Sequence, residues 1–483
     1  MRTEPLTSFD LAATAIDPEI FLETVSSRLN AGGRAVAYFA VPEAGVFRLV
    51  MAVAFDKEGR LEVYSAPAAG SFRSLTPSFP ELHLFEREIY EQSGVKPEGH
   101  PWLKPIRFNT PGSAPGVADY FTVHGSQVHE VAVGPVHAGV IEPGHFRFQC
   151  HGERVFHLEI MLGYQHRGVE RALSAGPDAR SIHYAETLAG DTSVGHAWAY
   201  CGAVEALAGV NVPPRAQTLR GVMLELERLA NHTGDLGALA GDVAFLPTAS
   251  FCGRLRGDLL NMTALVCGSR FGRNMLKPGG VNFDLDFALA KELRLRLDAA
   301  YRDVENAVSL LWESSSVTDR FEGTGVVTKA VAEGLGLVGP AARASGVGLD
   351  TRRNFPCGPY ERFTMAVSGS GDVYSRAYVR WLEIQKSAEL LRGWLDALPE
   401  GAVEAECGPL SPGSAAVSLI EGWRGQICHV ALTGADGKFR HYKVADPSFH
   451  NWQALAMALR SGEISDFPLC NKSFNLSYCG RDL

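Results

Sequence analysis

The stretch Gly134-Pro135-Val136-His137, continued by Glu142-Pro143-Gly144-His145-Phe146-Arg147-Phe148 and Leu162-Gly163-Tyr164-Gln165-His166-Arg167-Gly168-Val169-Glu170, decides how this chain is read. Two further segments belong with it. Ala189-Gly190-Asp191-Thr192 stands ahead of His196-Ala197-Trp198-Ala199-Tyr200-Cys201-Gly202-Ala203-Val204-Glu205, and Asp446-Pro447-Ser448-Phe449-His450-Asn451 lies near the C-terminus. The segments are rich in polar groups, yet the spacings argue against a metal held by this chain alone. His137, His145, His151 and His157 are separated by eight and six residues, which matches no compact ligand motif such as His-x-x-x-His. They read as packing and hydrogen-bonding histidines. None of the nine cysteines (150, 201, 252, 267, 357, 407, 428, 470 and 479) forms a Cys-x-x-Cys pair, which argues against a four-iron cubane or a structural zinc site.

Working outward, 483 residues suggest two or three domains with sizeable cores. A hydrophobic content of 46%, a charged content of 20% and a formal net charge of −9 describe a globular protein with no basic stripe for nucleic acid. The longest mostly apolar run, near Val46 to Phe55, is too short to span a bilayer, which takes roughly 20 residues. Membrane contact is therefore expected only through partners. The N-terminus, with Glu4, Asp10, Asp17 and Glu19, lacks the basic and apolar regions of a secretory signal. Scattered cysteines, odd in number, read as reduced thiols in the cytoplasm.

Periodicity predicts a helix over 18–30, strands over Ala35–Val41 and Phe47–Phe55 joined by a turn at Pro42–Gly45, and a strand over Arg60–Ser65. This is a small α/β unit. A Pro- and Gly-bearing stretch from Pro105 to Gly125 reads as a linker. Beyond it the pattern is mainly helical: a helix beginning at Pro213-Pro214-Arg215 and ending before Gly234, and amphipathic runs near 285–313 and 373–397. Gly425 to Tyr442 alternates as two strands turning at Gly434-Ala435-Asp436-Gly437. The fold class expected is α+β.

The quoted segments resemble the large subunit of membrane-bound nickel-iron hydrogenases of group 4 and the homologous 49-kDa-type subunit of respiratory complex I. Leu84-Phe85-Glu86-Arg87-Glu88-Ile89-Tyr90-Glu91, with Gly99-His100-Pro101, resembles the 30-kDa-type subunit of complex I. The resemblance implies a 30-kDa-like domain over 1–108, a linker over 109–127 and a large-subunit-like domain over 128–483, mainly helical with short β segments. The tail Asp466-Phe467-Pro468-Leu469-Cys470-Asn471-Lys472-Ser473-Phe474-Asn475-Leu476-Ser477-Tyr478 resembles that of energy-converting hydrogenase-related subunits that lack the metal-binding cysteines. In the hydrogenase pattern four cysteines hold nickel and iron. Here their places are taken by Ala189, Thr192, Ser448 and Asn451. A methyl group, two hydroxyls and an amide cannot replace soft bridging thiolates, so no metal ligand set is expected.

The resemblance also supplies roles. Glu142 matches the glutamate that carries protons away from the hydrogenase centre, a task suited to a partly buried carboxyl group, and a structural hydrogen bond is its alternative. Arg424 matches the arginine leaning over the metal's ligands, and Asp191 or Asp446 is its candidate partner. These three, Glu142, Asp191 and Arg424, are the candidate catalytic residues, with His137 and Asp446 in the same pocket. His232 matches the histidine beside the terminal iron-sulfur cluster in complex I. Arg167 with Glu170, and Arg343, read as framework ion pairs. The histidine and tyrosine that hold the quinone headgroup in complex I fall near Ile141 and Gly190 here, and an arginine near the cluster is Thr187.

No cofactor bound by this chain alone is expected. A four-iron cluster is expected in a partner small subunit, beside a ferredoxin-like subunit and antiporter-like membrane subunits, on the cytoplasmic face of the membrane. Three functions stay open: an oxidoreductase subunit with a quinone or other organic acceptor and coupled ion translocation, a catalytically silent coupling subunit, and a genuine hydrogenase. No Gly-x-Gly-x-x-Gly after a strand points to NADH binding.

Overall fold

The computed structural model describes residues 6–10, 13–43, 45–110, 112–139, 141–360 and 363–483. Glu4, and Ala44 of the expected first turn, lie outside these. Helix Pro18–Asn30 starts on Asp17, whose side chain accepts the Glu19 N–H, with Pro18 pre-set for the first turn. It packs on an antiparallel meander of Arg34–Glu43, Val46–Phe55 and Arg60–Ala68. Helix His83–Ser93 closes the unit against the first of these strands. The predicted helix and strands of this region are therefore present, each strand somewhat longer than expected.

Its apolar core does not end at the unit's boundary. Phe21, Val36, Tyr38, Met51 and Phe85 share one continuous core with Val417, Leu419, Cys428 and Val430 of a second, four-stranded sheet. That sheet orders Leu6–Asp10, Ser414–Gly422, Gly425–Thr433 and Phe439–Ala445, all antiparallel. The predicted hairpin forms its last two strands, turning through 434–438. The chain's first strand, Leu6–Asp10, is its edge, paired with Ser414–Gly422. The opposite face, with Ala416, Ile420, Ile427 and Ala431, belongs to the core of the helical part. A sheet covered on both faces loses the alternating pattern of a half-wet one, and every residue of Gly425–Thr433 is buried.

The helical part is built on Ser193–Ala208, Pro214–Asp242, Leu246–Cys267, Phe287–Glu313 and Val373–Asp396. The helix expected to stop before Gly234 runs on to Asp242. Gly234 is a packing glycine rather than a terminator: a Cβ there would lie 2.6 Å from Cδ of Arg256 in the next helix, and one at Gly237 would lie 2.6 Å from Cβ of Cys252. No helix among the described residues is long and apolar enough to cross a membrane.

A knot of charge joins the two parts. Lys443 donates to Glu88 at 2.6 Å and to Glu170 at 2.8 Å, and Arg107 pairs with the same two carboxylates. Arg167 does not pair with Glu170; its guanidinium donates to the carbonyls of Thr187 and Leu188.

Candidate functional site

The segments singled out by sequence converge where the loop before helix Ser193–Ala208 meets the turn Trp423-Arg424 and the start of helix Pro447–Leu459. Arg424 donates to both carboxylate oxygens of Asp191, at 2.5 and 2.8 Å, and through Nε to the Asn475 carbonyl at 2.5 Å. Its guanidinium lies 3.9 Å from the ring of Trp423. Burial alone would raise the Asp191 pKa, but the guanidinium reverses this and holds it below the usual carboxylate range. The Arg424 side chain is 6% exposed and that of Asp191 31%, so the pair opens on the aspartate side. The turn is pinned from behind by Gly339, whose positive φ of 68° and missing side chain admit the Arg424 carbonyl; a Cβ there would sit 2.1 Å from that oxygen.

The four positions that the resemblance aligns with the hydrogenase cysteines are buried and engaged within the protein. Thr192 Oγ1 donates to Asp191 and accepts from Trp423 Nε1 at 3.1 Å. Ser448 Oγ accepts the Ser477 N–H at 2.9 Å. Asn451 accepts the Val338 N–H at 3.0 Å and donates to the Val338 carbonyl at 3.1 Å, as a neighbouring strand would. Ala189 offers a methyl group, fully buried. This donor set does not fit a nickel-iron centre, which requires thiolates. Among the described residues no group of three or more His, Cys, Asp or Glu side chains is placed to hold a metal ion.

Asp446 begins helix Pro447–Leu459, accepting the Ser448 N–H at 2.7 Å, and its other oxygen meets His196 Nε2 at 3.0 Å. His196 Nδ1 meets His429 Nε2 at 3.1 Å, and His429 Nδ1 meets the Tyr442 hydroxyl at 2.8 Å. With both imidazoles neutral and Asp446 ionised, one arrangement of protons makes every bond: Tyr442 donates to His429, His429 to His196, and His196 to Asp446. Burial would raise the Asp446 pKa, but the His196 hydrogen bond keeps it below the usual range. His429 is held neutral by burial and by the neighbouring His196.

Glu142 lies at the rim. The residue is exposed, but its carboxyl group is crowded enough that burial lifts its pKa above the usual range against the pull of Arg424. His137 serves its own loop instead, Nε2 lying 2.8 Å from the Gly144 carbonyl. His232 is fully buried, its Nε2 2.7 Å from Glu383 and its ring edge-on to Trp423. Glu383 belongs to a buried knot with Arg343, Arg352, Arg228, Glu225, Asp350 and Glu421. Arg228 from that knot donates to the carbonyls of Glu421 and Gly422, directly behind the Arg424 turn.

The comparisons agree with this architecture. A family profile described as respiratory-chain NADH dehydrogenase, 30 Kd subunit, matches residues 22–116, and one described as the 49 Kd subunit matches residues 242–416. The carbon monoxide-induced hydrogenase of Rhodospirillum rubrum is 33% identical over 350 residues, 72% of this chain and 97% of that protein. The chain belongs to the large-subunit family shared by membrane-bound hydrogenases and complex I. Formate hydrogenlyase subunit 5 of Escherichia coli is 29% identical over 85% of this chain and 77% of its own length. An NADH-quinone oxidoreductase subunit of Solibacter usitatus is 29% identical over 69% of this chain and 91% of its own length. This large subunit is thus a component of a complex I-like, hydrogenase-related oxidoreductase.

Sequence reasoning missed two parts of the site. His196 stood in a quoted motif, but its partners His429 and Asp446 are 233 and 250 residues away. Glu227 went unnoticed within Glu225-Leu226-Glu227-Arg228; the available signal was a carboxylate followed one helical turn later by Asn231.

Proposed function

We propose that this large subunit holds the catalytic position of a membrane-attached, ion-translocating oxidoreductase without a nickel-iron site of its own, and that its Asp191–Arg424 site handles protons. The observation that carries this reading is the pair itself: a bidentate, largely buried ion pair beside a carboxyl group of raised pKa, Glu142, where the four positions aligned with the hydrogenase cysteines carry no thiol. Electrons would arrive on a four-iron cluster of a partner small subunit, near His232, with ferredoxin-like and antiporter-like subunits completing the assembly on the cytoplasmic face of the membrane. The acceptor we infer is organic, such as a quinone. Exposed Val136 and Ile141, in the loop that leads to Glu142, offer apolar surface for it.

Asp191→Asn and Glu142→Gln in the natively expressed assembly test this. Retained assembly with turnover lowered at least tenfold supports a proton-handling site. Loss of assembly and turnover in parallel would instead make the pair a scaffold.

A further inference from the structure

Behind Asp191, on the side away from Asp446, the helix Pro214–Asp242 presents a carboxyl group that none of the roles above uses. Glu227 is 6% exposed, and its oxygens accept the N–H groups of Val194 at 2.8 Å and Gly195 at 3.3 Å, at the start of helix Ser193–Ala208. Among the described residues no lysine or arginine pairs with it; Arg228, its neighbour in sequence, turns to the opposite side and Glu225. Beside it lies a cavity of about 10 Å³ lined by Asp191, Glu227, Asn231, Thr263 and, at the surface, Arg270 and Phe271. That is close to the roughly 10 to 15 Å³ that one water needs. Thr263 also lines it, 2% exposed, and its hydroxyl has no hydrogen-bond partner among the described residues. A buried hydroxyl without a partner is unfavourable, and one water in this cavity would satisfy it.

We propose that this cavity binds a single water that bridges Thr263, Glu227 and Asp191, making Glu227 a proton-storing group behind the Asp191–Arg424 pair. The transfer is balanced. The Glu227 carboxylic acid gives its proton to the water as the water gives one to the Asp191 carboxylate, and only O–H bonds are made and broken. The rim at Arg270 and Phe271, both exposed, joins the water to solvent. The charged groups facing Glu227 are Asp191 from the preceding loop and Arg270 at the rim, with Arg228 of its own helix turned away. Burial first, and the Asp191 charge after it, raise the Glu227 pKa to about 8, so the stored proton is present at neutral pH. The inference rests on the proton-handling reading above, but its test observes the carboxyl group itself, so the two can fail separately.

Infrared difference spectroscopy of the natively purified assembly follows the carbonyl stretch of protonated carboxylic acids against pH and after transfer to heavy water. The expected result is a band that titrates near pH 8, is missing in Glu227→Gln, and moves to lower pH in Asp191→Asn. Thr263→Val keeps the shape of the side chain but removes the water's partner, and is expected to keep the band while slowing its deuterium shift five- to tenfold. A wild-type band set identical to that of Glu227→Gln would overturn the proposal. So would deuterium exchange in Thr263→Val as fast as in the parent.

Discussion

Replacing Arg343 by Met tests whether the buried knot behind the site is framework. Arg343 is fully buried and lies within 3.2 Å of three carboxylates: Glu383 at 2.5 Å, Glu421 at 2.8 Å and Asp350 at 3.2 Å. The knot contains three arginines (228, 343 and 352) against four acids (225, 350, 383 and 421), so removing one arginine leaves two against four. Breaking a buried pair in this way costs about 3–5 kcal/mol, because the abandoned charges remain out of water. Glu421 is the acid with least to lose. Burial and then the Asp350 charge push its pKa up, so Glu421→Gln alone is expected to cost only about 1–2 kcal/mol. The double variant removes one orphaned charge along with the arginine and should recover roughly 2 kcal/mol relative to the sum of the singles. Urea titrations of the purified protein at neutral pH, followed by fluorescence of the buried Trp198 and Trp423, measure all three. A loss below about 1 kcal/mol for Arg343→Met, or strictly additive losses, would refute the reasoning.

Two further outcomes follow from the same structure. Glu227 has a folded-state pKa near 8 against an ordinary value of 4.5; the folded protein therefore binds the extra proton, and the stability this contributes is full below pH 4.5 and lost as pH rises to 8. The loss amounts to at most about 5 kcal/mol, and a series of urea midpoints between pH 5 and 9 should be visibly flatter for Glu227→Gln than for the parent; parallel curves would contradict this. Lys443→Met abandons Glu88 and Glu170 to Arg107 alone at the junction of the two parts, and should cost about 3–5 kcal/mol. Limited proteolysis should then cut faster within residues 109–127, and an unchanged cleavage rate would show that the junction does not depend on this lysine.

Much of the fold was legible because single elements carry their own signals. The run near 285–313 forms helix Phe287–Glu313, whose Asp286 cap and regularly spaced Leu293, Leu297, Val304 and Leu311 repeat at helical intervals. The hairpin of Gly425 to Tyr442 was visible in its turn. What the sequence hid was pairing at long range. Strand Leu6–Asp10 meets Ser414–Gly422 across four hundred residues, and that partner, covered on both faces, shows no alternation. Gly234 looked like a helix end because composition cannot distinguish a terminating glycine from one that makes room for Arg256. In the site, Asp191 was one of the two partners that the resemblance offered Arg424, the other being Asp446, whereas Glu227 and the His196–His429–Tyr442 chain depend on neighbours that only the folded chain brings together.

In the function proposed above, this large subunit works without nickel and iron of its own. Metal analysis of the assembly purified natively with its partners, combined with a hydrogen-uptake assay on the same sample, tests it most directly. Iron from the partner's cluster, no stoichiometric nickel and no hydrogen uptake are expected. One nickel per large subunit together with hydrogen uptake would contradict it, and would require metal ligands other than Ala189, Thr192, Ser448 and Asn451.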